Sequence, residues 1–316
     1  MTKWEKFKLW VNHSFFINYN RERLWNILMT AFLILGAYWT IIEFFSFLLE
    51  NIPTSKEGET YKDILRAFVW GYLKYEFLII LTISSVYHRQ KLSHEIKINN
   101  SDLKIEFKFC DIFSQDGAKV IAVMDTFETE FRANLVDRNT LHGKVISKFY
   151  IGRETLLDNE ISQSLQRTNA SLLETNNTFI GKQNRYAIGT TVILKPNDDE
   201  YFYWTAAAAQ TATGNVNIRP EYLIDALANL WQFVPQYGQP FETINIPIIG
   251  KGVDRLPPEY THQRIAREIA NSFITSSKQQ KFCKKLRICI YPKDSQYIDI
   301  PKLLDYVNHL KEYNFI

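Results

Sequence analysis

A chain of 316 residues has room for one large domain, or for one domain and something smaller. Its formal net charge of +3 gives no bulk electrostatic reason to bind nucleic acid. Its three cysteines, Cys110, Cys283 and Cys289, lack metal-type spacing and read as free thiols of a reducing compartment. Aromatic residues reach 15%, with most of the excess in the first ninety residues, so the average hides two unlike halves.

Leu24 to Leu49 reads LWNILMTAFLILGAYWTIIEFFSFLL and carries one charge, Glu43. As a helix it would reach ~39 Å at ~1.5 Å per residue, enough to cross a hydrocarbon core of about 30 Å with some tilt. A second run, Ala67 to Tyr87, is interrupted by Lys74 and Glu76. Lys3, Lys6, Lys8, Arg21 and Arg23 precede the first run, and Arg89, Lys91 and Lys97 follow the second. In the loop between them, Glu50 to Asp63, acids accompany Lys56 and Lys62. The positive-inside rule then makes this a two-pass transmembrane α-hairpin with both ends in the cytoplasm. Charges facing lipid are costly, so Glu43, Lys74 and Glu76 are expected to pair or to face protein, Glu43 and Lys74 lying at similar depth. Either they fix the hairpin register, or they line contacts between several hairpins.

From Ser101 the periodicity changes. Leu103 to Cys110 alternates as a strand, and Lys119 to Met124 is a short Val/Ile-rich strand. Asp137 to Gln166 is polar and is expected to hold two short helices; Ile188–Leu194 and Tyr201–Ala207 are strands joined by a Lys-Pro-Asn-Asp-Asp turn. An amphipathic helix over Pro220–Phe233, a strand over Ile244–Ile249, a helix over Pro258–Lys281, a strand over Leu286–Tyr291 and a helix over Ile300–Tyr313 complete the pattern. Strands alternating with helices over this length predict an α/β/α sandwich with a mixed central sheet. The expected divisions are a basic arm over 1–23, the hairpin over 24–87, a linker over 88–100 and the ligand-binding domain over 101–316.

The strand at Ile244 runs into Gly250-Lys251-Gly252-Val253. Glycines at the carboxyl end of such a strand let backbone N–H groups approach an anion, although alone they make a tight turn as readily. Pro247, Ile249, Gly250, Gly252 and Val253, together with Cys110-Asp111-Ile112 and Ile121-Ala122-Val123-Met124-Asp125-Thr126, resemble the motifs of the macro domain, an ADP-ribose-binding fold, over residues 101–316. The resemblance implies that Asp111 accepts from the adenine amine with Ile112 beside it, or else caps a turn. It implies that Gly250, Lys251, Gly252 and Val253 hold the diphosphate. It lets Asp125 stand in as a polar contact to the distal ribose, counts Thr126 beside it among the ligand-binding residues, and gives Gly143 a place in a second phosphate loop, Thr140 to Val145. His142 in that loop is open to both a solvated and a ligand-facing reading. Family hydrolases carry an asparagine after the second strand and a full glycine run; here Met124 and a single Gly143 stand there. The domain therefore reads as a binder rather than a hydrolase, with no cofactor and no metal.

Two spans followed by such a domain resemble, more narrowly, the ThsA-type effector of Thoeris antiphage systems. That resemblance implies an inner-membrane protein whose cytoplasmic domain binds an ADP-ribose derivative made by a partner TIR-domain enzyme. The chain would then form a homo-oligomer and disrupt membrane lipid. A membrane-anchored ADP-ribosyl hydrolase and a nucleotide-binding membrane scaffold are the alternatives.

Overall fold

The computed structural model describes residues 4, 7–8, 11, 21–54, 60–89, 91–98, 102–132, 135–175, 180–211, 215–251 and 256–314. The chain divides into two compact units, Met1–Leu92 and Ser93–Ile316.

The first unit holds two long helices, α1 (Arg21–Leu48) and α2 (Tyr61–Tyr87). Thr60 and Asp63 form a capping box at the start of α2, with the Thr60 N–H donating to Asp63 Oδ2 at 2.9 Å. The helices run antiparallel. Ser84 Oγ donates to the Ile27 carbonyl at 2.6 Å, Tyr38 OH donates to Glu76 Oε1 at 2.7 Å, and Arg66 lies 3.5 Å from Glu43. The expected Glu43–Lys74 match is therefore replaced by Glu43–Arg66 and Tyr38–Glu76. The reason is angular: residues two apart stand about 200° apart on a helix, so when Glu76 faces α1, Lys74 turns away. The Lys74 ammonium instead lies 4.9 Å from the Tyr75 ring centroid. Among the described residues, Arg23–Leu48 is the helical stretch long and apolar enough to cross a membrane; α2, with its internal charges, does not reach that level.

The second unit is an α/β/α sandwich. Its strands are β1 (Ser93–Lys97), β2 (Lys104–Phe109), β3 (Ala118–Met124), β4 (Leu172–Thr175), β5 (Asn184–Tyr186), β6 (Thr191–Leu194), β7 (Phe202–Gln210), β8 (Val216–Asn217), β9 (Thr243–Pro247) and β10 (Lys285–Ile290). The main sheet has the order β1-β2-β10-β9-β3-β7-β6, with β8 paired to β7. It is mixed: β2, β10, β9, β3 and β7 are mutually parallel, while β1, β6 and β8 join antiparallel. β4 and β5 form a separate antiparallel pair. The segment expected to be a linker thus contributes a strand. β1 escapes a period-two reading because it is short and charged, its Glu95 answering Lys104 at 2.7 Å and Lys285 at 2.6 Å.

Every residue of β7 is buried. Its side chains alternate between two helical layers. Phe202 and Trp204 pack with Val145, Tyr150, Leu157 and Ile161 of α3 (Leu141–Val145), the π-helical turn that continues it (Ile146–Tyr150) and α4 (Glu154–Arg167). Tyr203 meets Phe233 of α5 (Pro220–Tyr237); α6 (His262–Gln279) packs against both α5 and α7 (Ile300–Asn314). β6 is an edge strand whose outward N–H groups are taken up by α4: Ile193 donates to Ser164 Oγ and Lys195 to Glu160 Oε2, both at 2.9 Å. Across β1, β2 and β10, Glu106 is half-encircled by Ser93, Lys285 and Arg287. Burial alone would raise the Glu106 pKa, but the hydrogen bonds from Ser93 and Arg287 and the nearby positive charges hold it below its usual value.

Candidate functional site

A cleft of about 520 Å³ opens at the carboxyl ends of β3, β7 and β9, where ligands sit in open α/β sheets. Its size falls within the roughly 300–1,000 Å³ usual for small-molecule sites. One wall is Ala122 to Met124 with Ala207 and Ala208, another is Asn139 to His142, and the third is Pro247 to Gly250. β7 explains the space. Its first half carries Phe202, Tyr203 and Trp204, which fill the core; its second half is Ala206 to Ala209, which leaves room above the sheet. That alanine run is the signal in the sequence that strand periodicity passes over.

Gly250 stands on the wall with φ +78°, and a Cβ there would meet Leu256 Cδ1 at 2.7 Å, so glycine is required. Lys251 follows it, half-buried; Gly252 and Val253 lie outside the described residues. Asp111 and Ile112 follow β2 and are not among the residues that line this cleft. Asp111 Oδ1 accepts from the Phe113 N–H at 3.1 Å, which is the turn-capping role, and Ile112 is buried in the core.

Asp125 and Thr126 do not face the cleft. Asp125 is almost fully buried; its Oδ2 accepts from Arg185 Nε at 2.9 Å and Nη2 at 2.6 Å, and its Oδ1 accepts from the Gln210 N–H at 2.9 Å. Thr126 Oγ1 donates to Gln210 Oε1 at 2.5 Å. Both side chains are spent on pinning β5 to the ends of β3 and β7. Gly143 is likewise no phosphate donor: its N–H donates to Thr140 Oγ1 at 3.0 Å, and a Cβ there would sit 2.2 Å from the Asp137 carbonyl oxygen. It is a glycine because α3 crosses the preceding backbone closely.

The segment after Asp125 is tightly held. Phe127 has φ +51° and is fully buried. The buried Glu128 carboxylate accepts from the N–H groups of Thr129 at 2.8 Å, Glu130 at 3.0 Å and Lys182 at 2.7 Å. His142 is buried rather than solvated, its ring set edge to face against that of Trp204. Burial pushes the His142 pKa down to about 3, so the imidazole is neutral. His262, the first residue of α6, stacks on Tyr297 with ring centroids 5.0 Å apart. Burial, reinforced by Lys251 and opposed by Asp294, lowers the His262 pKa.

A protein-family model described as "Thoeris protein ThsA, Macro domain" matches residues 105–291. The chain belongs to the ThsA macro-domain family. A curated relative, Thoeris protein ThsA of Bacillus amyloliquefaciens (strain Y2), is 23% identical over 236 residues, which are 72% of this chain and 75% of the relative. Among solved structures the chain is similar to an Oceanobacillus iheyensis macrodomain with ADP, at 13% identity, covering 69% of this chain and 97% of that one with a TM-score of 0.46. It is also similar to a Trypanosoma brucei macrodomain in complex with ADP-ribose, at 12% identity, covering 65% and 68% with a TM-score of 0.40. The ThsA macro-domain match takes in β3, β7, β9 and their loops, hence the whole of the cleft.

Proposed function

We propose that this chain is a membrane-anchored sensor and effector of antiphage defence, in which the cleft holds an ADP-ribose-containing nucleotide produced by a TIR-domain enzyme. The observation that carries the reading is the cleft at the carboxyl edge of β3, β7 and β9 in a chain of the ThsA macro-domain family. The Gly250 turn and the Lys251 to Val253 segment supply backbone donors to the diphosphate. Asp111, with one carboxylate oxygen committed to its cap, offers the other to the adenine amine beside Ile112. Asp125, Thr126 and Gly143 shape the walls without touching the ligand. The α1–α2 pair is a two-pass anchor with both ends in the cytoplasm, supported by the apolar length of α1 and by the basic residues flanking the pair. Occupancy favours an assembled state of several copies, in which Glu43, Lys74 and Glu76 of neighbouring hairpins perturb the bilayer. A ligand drives that step only by binding the assembly better than the single chain.

The test is calorimetric titration of the full-length, detergent-solubilised chain with ADP-ribose, followed by product analysis. We expect saturable binding with the ligand recovered intact, and weakening by about 1–3 kcal/mol in Asp111→Ala. Absence of binding by the native chain would sink the sensor reading, and turnover of an ADP-ribosylated substrate would replace it with a hydrolase.

A further inference from the structure

We propose that the outward face of α1 in one copy packs against the outward face of α2 in the next, with Glu43 of the first set against Lys74 of the second. The partner is a second copy of this chain. The inference deepens the assembly reading and rests on it.

Lys74 is the middle residue of the 27 in α2, so neither membrane surface is near it. Its side chain is exposed, rests over the Tyr75 ring and has no carboxylate partner among the described residues. A lone cation in hydrocarbon is costly. Its own hairpin does not relieve it, because the side of α2 that carries the buried Val69, Ile80 and Ser84 is turned away from it. Gly71, three residues earlier on the same outward face, is exposed, and a Cβ there would touch nothing. Gly36 on α1 is exposed and open in the same way, and shares its face with Thr40 and Glu43, four and seven residues on. Thr40 gives its hydroxyl to the Gly36 carbonyl at 2.9 Å, so that face offers no unmet donor. Glycine is a poor helix former, and nothing inside the hairpin needs these two. In a membrane, a glycine on an outward face lets another helix approach closely.

The charges choose the pairing. Contact of α1 with α1, or of α2 with α2, sets like charges together, whereas α1 on α2 joins opposite ones. Glu43 is 48% exposed, and Arg66 faces its Oε2, which leaves Oε1 for a neighbour. Tyr38 stands opposite Glu76 and Glu43 opposite Arg66, which puts Glu43 and Lys74 about 5–12 Å apart in depth. Side chains lean toward the N-terminus of their own helix, and α1 and α2 run in opposite directions. Glu43 and Lys74 therefore lean toward each other and converge near the level of Gly71, where the backbones come closest. Each copy offers one α1 face and one α2 face, so the contact is heterologous and repeats from copy to copy.

Energy transfer between dye-labelled copies of the full-length chain, reconstituted in vesicles with saturating ADP-ribose, tests this. In Gly36→Leu alone or Gly71→Leu alone, one side of every contact is blocked, and transfer should fall about tenfold or more. Mixed one to one, the two variants recover transfer, because the free α1 face of Gly71→Leu meets the free α2 face of Gly36→Leu. Cross-linking of the mixture stops at dimers, where the native chain gives longer ladders. Lys74→Met, which keeps the length of the side chain without its charge, lowers transfer about threefold or more. Native-like transfer in either leucine variant or in Lys74→Met overturns the inference and leaves the sensor reading intact, as does failure of the mixture to pair. No transfer by the native chain overturns the assembly reading and the inference together. Leucine at either position enters open space, and unchanged helical circular dichroism checks that the hairpin holds. Should a leucine variant fail to fold, Lys74→Met decides alone.

Discussion

Removing the Arg185 guanidinium is the sharpest test of how the cleft is built. Arg185 gives two charge-assisted hydrogen bonds to Asp125 and one to Glu174 at 2.8 Å. The Asp125 side chain is 2% exposed and that of Arg185 24%, so Arg185→Ala strands a buried carboxylate whose remaining donor is the Gln210 N–H. Losing one partner of a buried pair costs about 3–5 kcal/mol; the partial hydration of Arg185 places this case near the lower end, about 3 kcal/mol. The Glu174 contact, with its carboxylate half exposed, adds roughly 0–1 kcal/mol. For a unit of this size, about 2–4 °C of melting temperature accompanies each kcal/mol, so a drop of roughly 6–16 °C follows. Asp125→Asn keeps the acceptor for Gln210 and removes the buried charge, costing about 2 kcal/mol. The double variant Asp125→Asn/Arg185→Ala then falls short of the sum by about 1–3 kcal/mol, because neither partner is left stranded. Thermal unfolding of the four full-length proteins, followed by tryptophan emission, reads the cycle. Strict additivity would refute the claim that Asp125 is held by Arg185 and would return Asp125 to the list of ligand contacts.

Two further outcomes are expected. The depressed His142 pKa means that the folded chain cannot take up the proton which the unfolded chain binds below about pH 6.5; that stability is complete above this value and declines by about 1.4 kcal/mol per pH unit as pH falls toward 3. Native protein should therefore lose about 2 kcal/mol more than His142→Gln between pH 7 and pH 5, and equal losses in denaturation curves would show that the histidine is not held neutral. Glu43→Leu removes an exposed pair with Arg66, so folding changes by less than about 1 kcal/mol. ADP-ribose affinity should stay unchanged while growth inhibition in cells is lost, and persistent inhibition would dismiss the charged-span mechanism.

Much of the sandwich could be read from residue order because its strands are either alternating or wholly apolar. β2, β3, β9 and β10 all appear where the apolar pattern places them, and the Pro247 to Gly250 turn falls at a sheet edge as expected. The elements passed over share a cause. β1 and β4 are short, and β4 is exposed along its whole length, so neither buries the face from which a period-two signal arises. The site was less legible. Asp125 has the right chemistry for a ribose contact, but Arg185 stands 60 positions along the chain, and only the fold brings them together. Gly143 looked like half of a phosphate loop; its reason is the Asp137 backbone pressed against it. The burial of His142 depends on Trp204, which is not adjacent to it in the chain.

The capped flank at β6 has a consequence for crowding. Main-chain pairing with a strand from another copy would first have to strip Ile193 and Lys195 of the groups on α4 that hold them, and lever that helix off the sheet. However densely copies gather, this side of the sheet resists fibre growth. Any contact between copies on that side would have to be made by side chains.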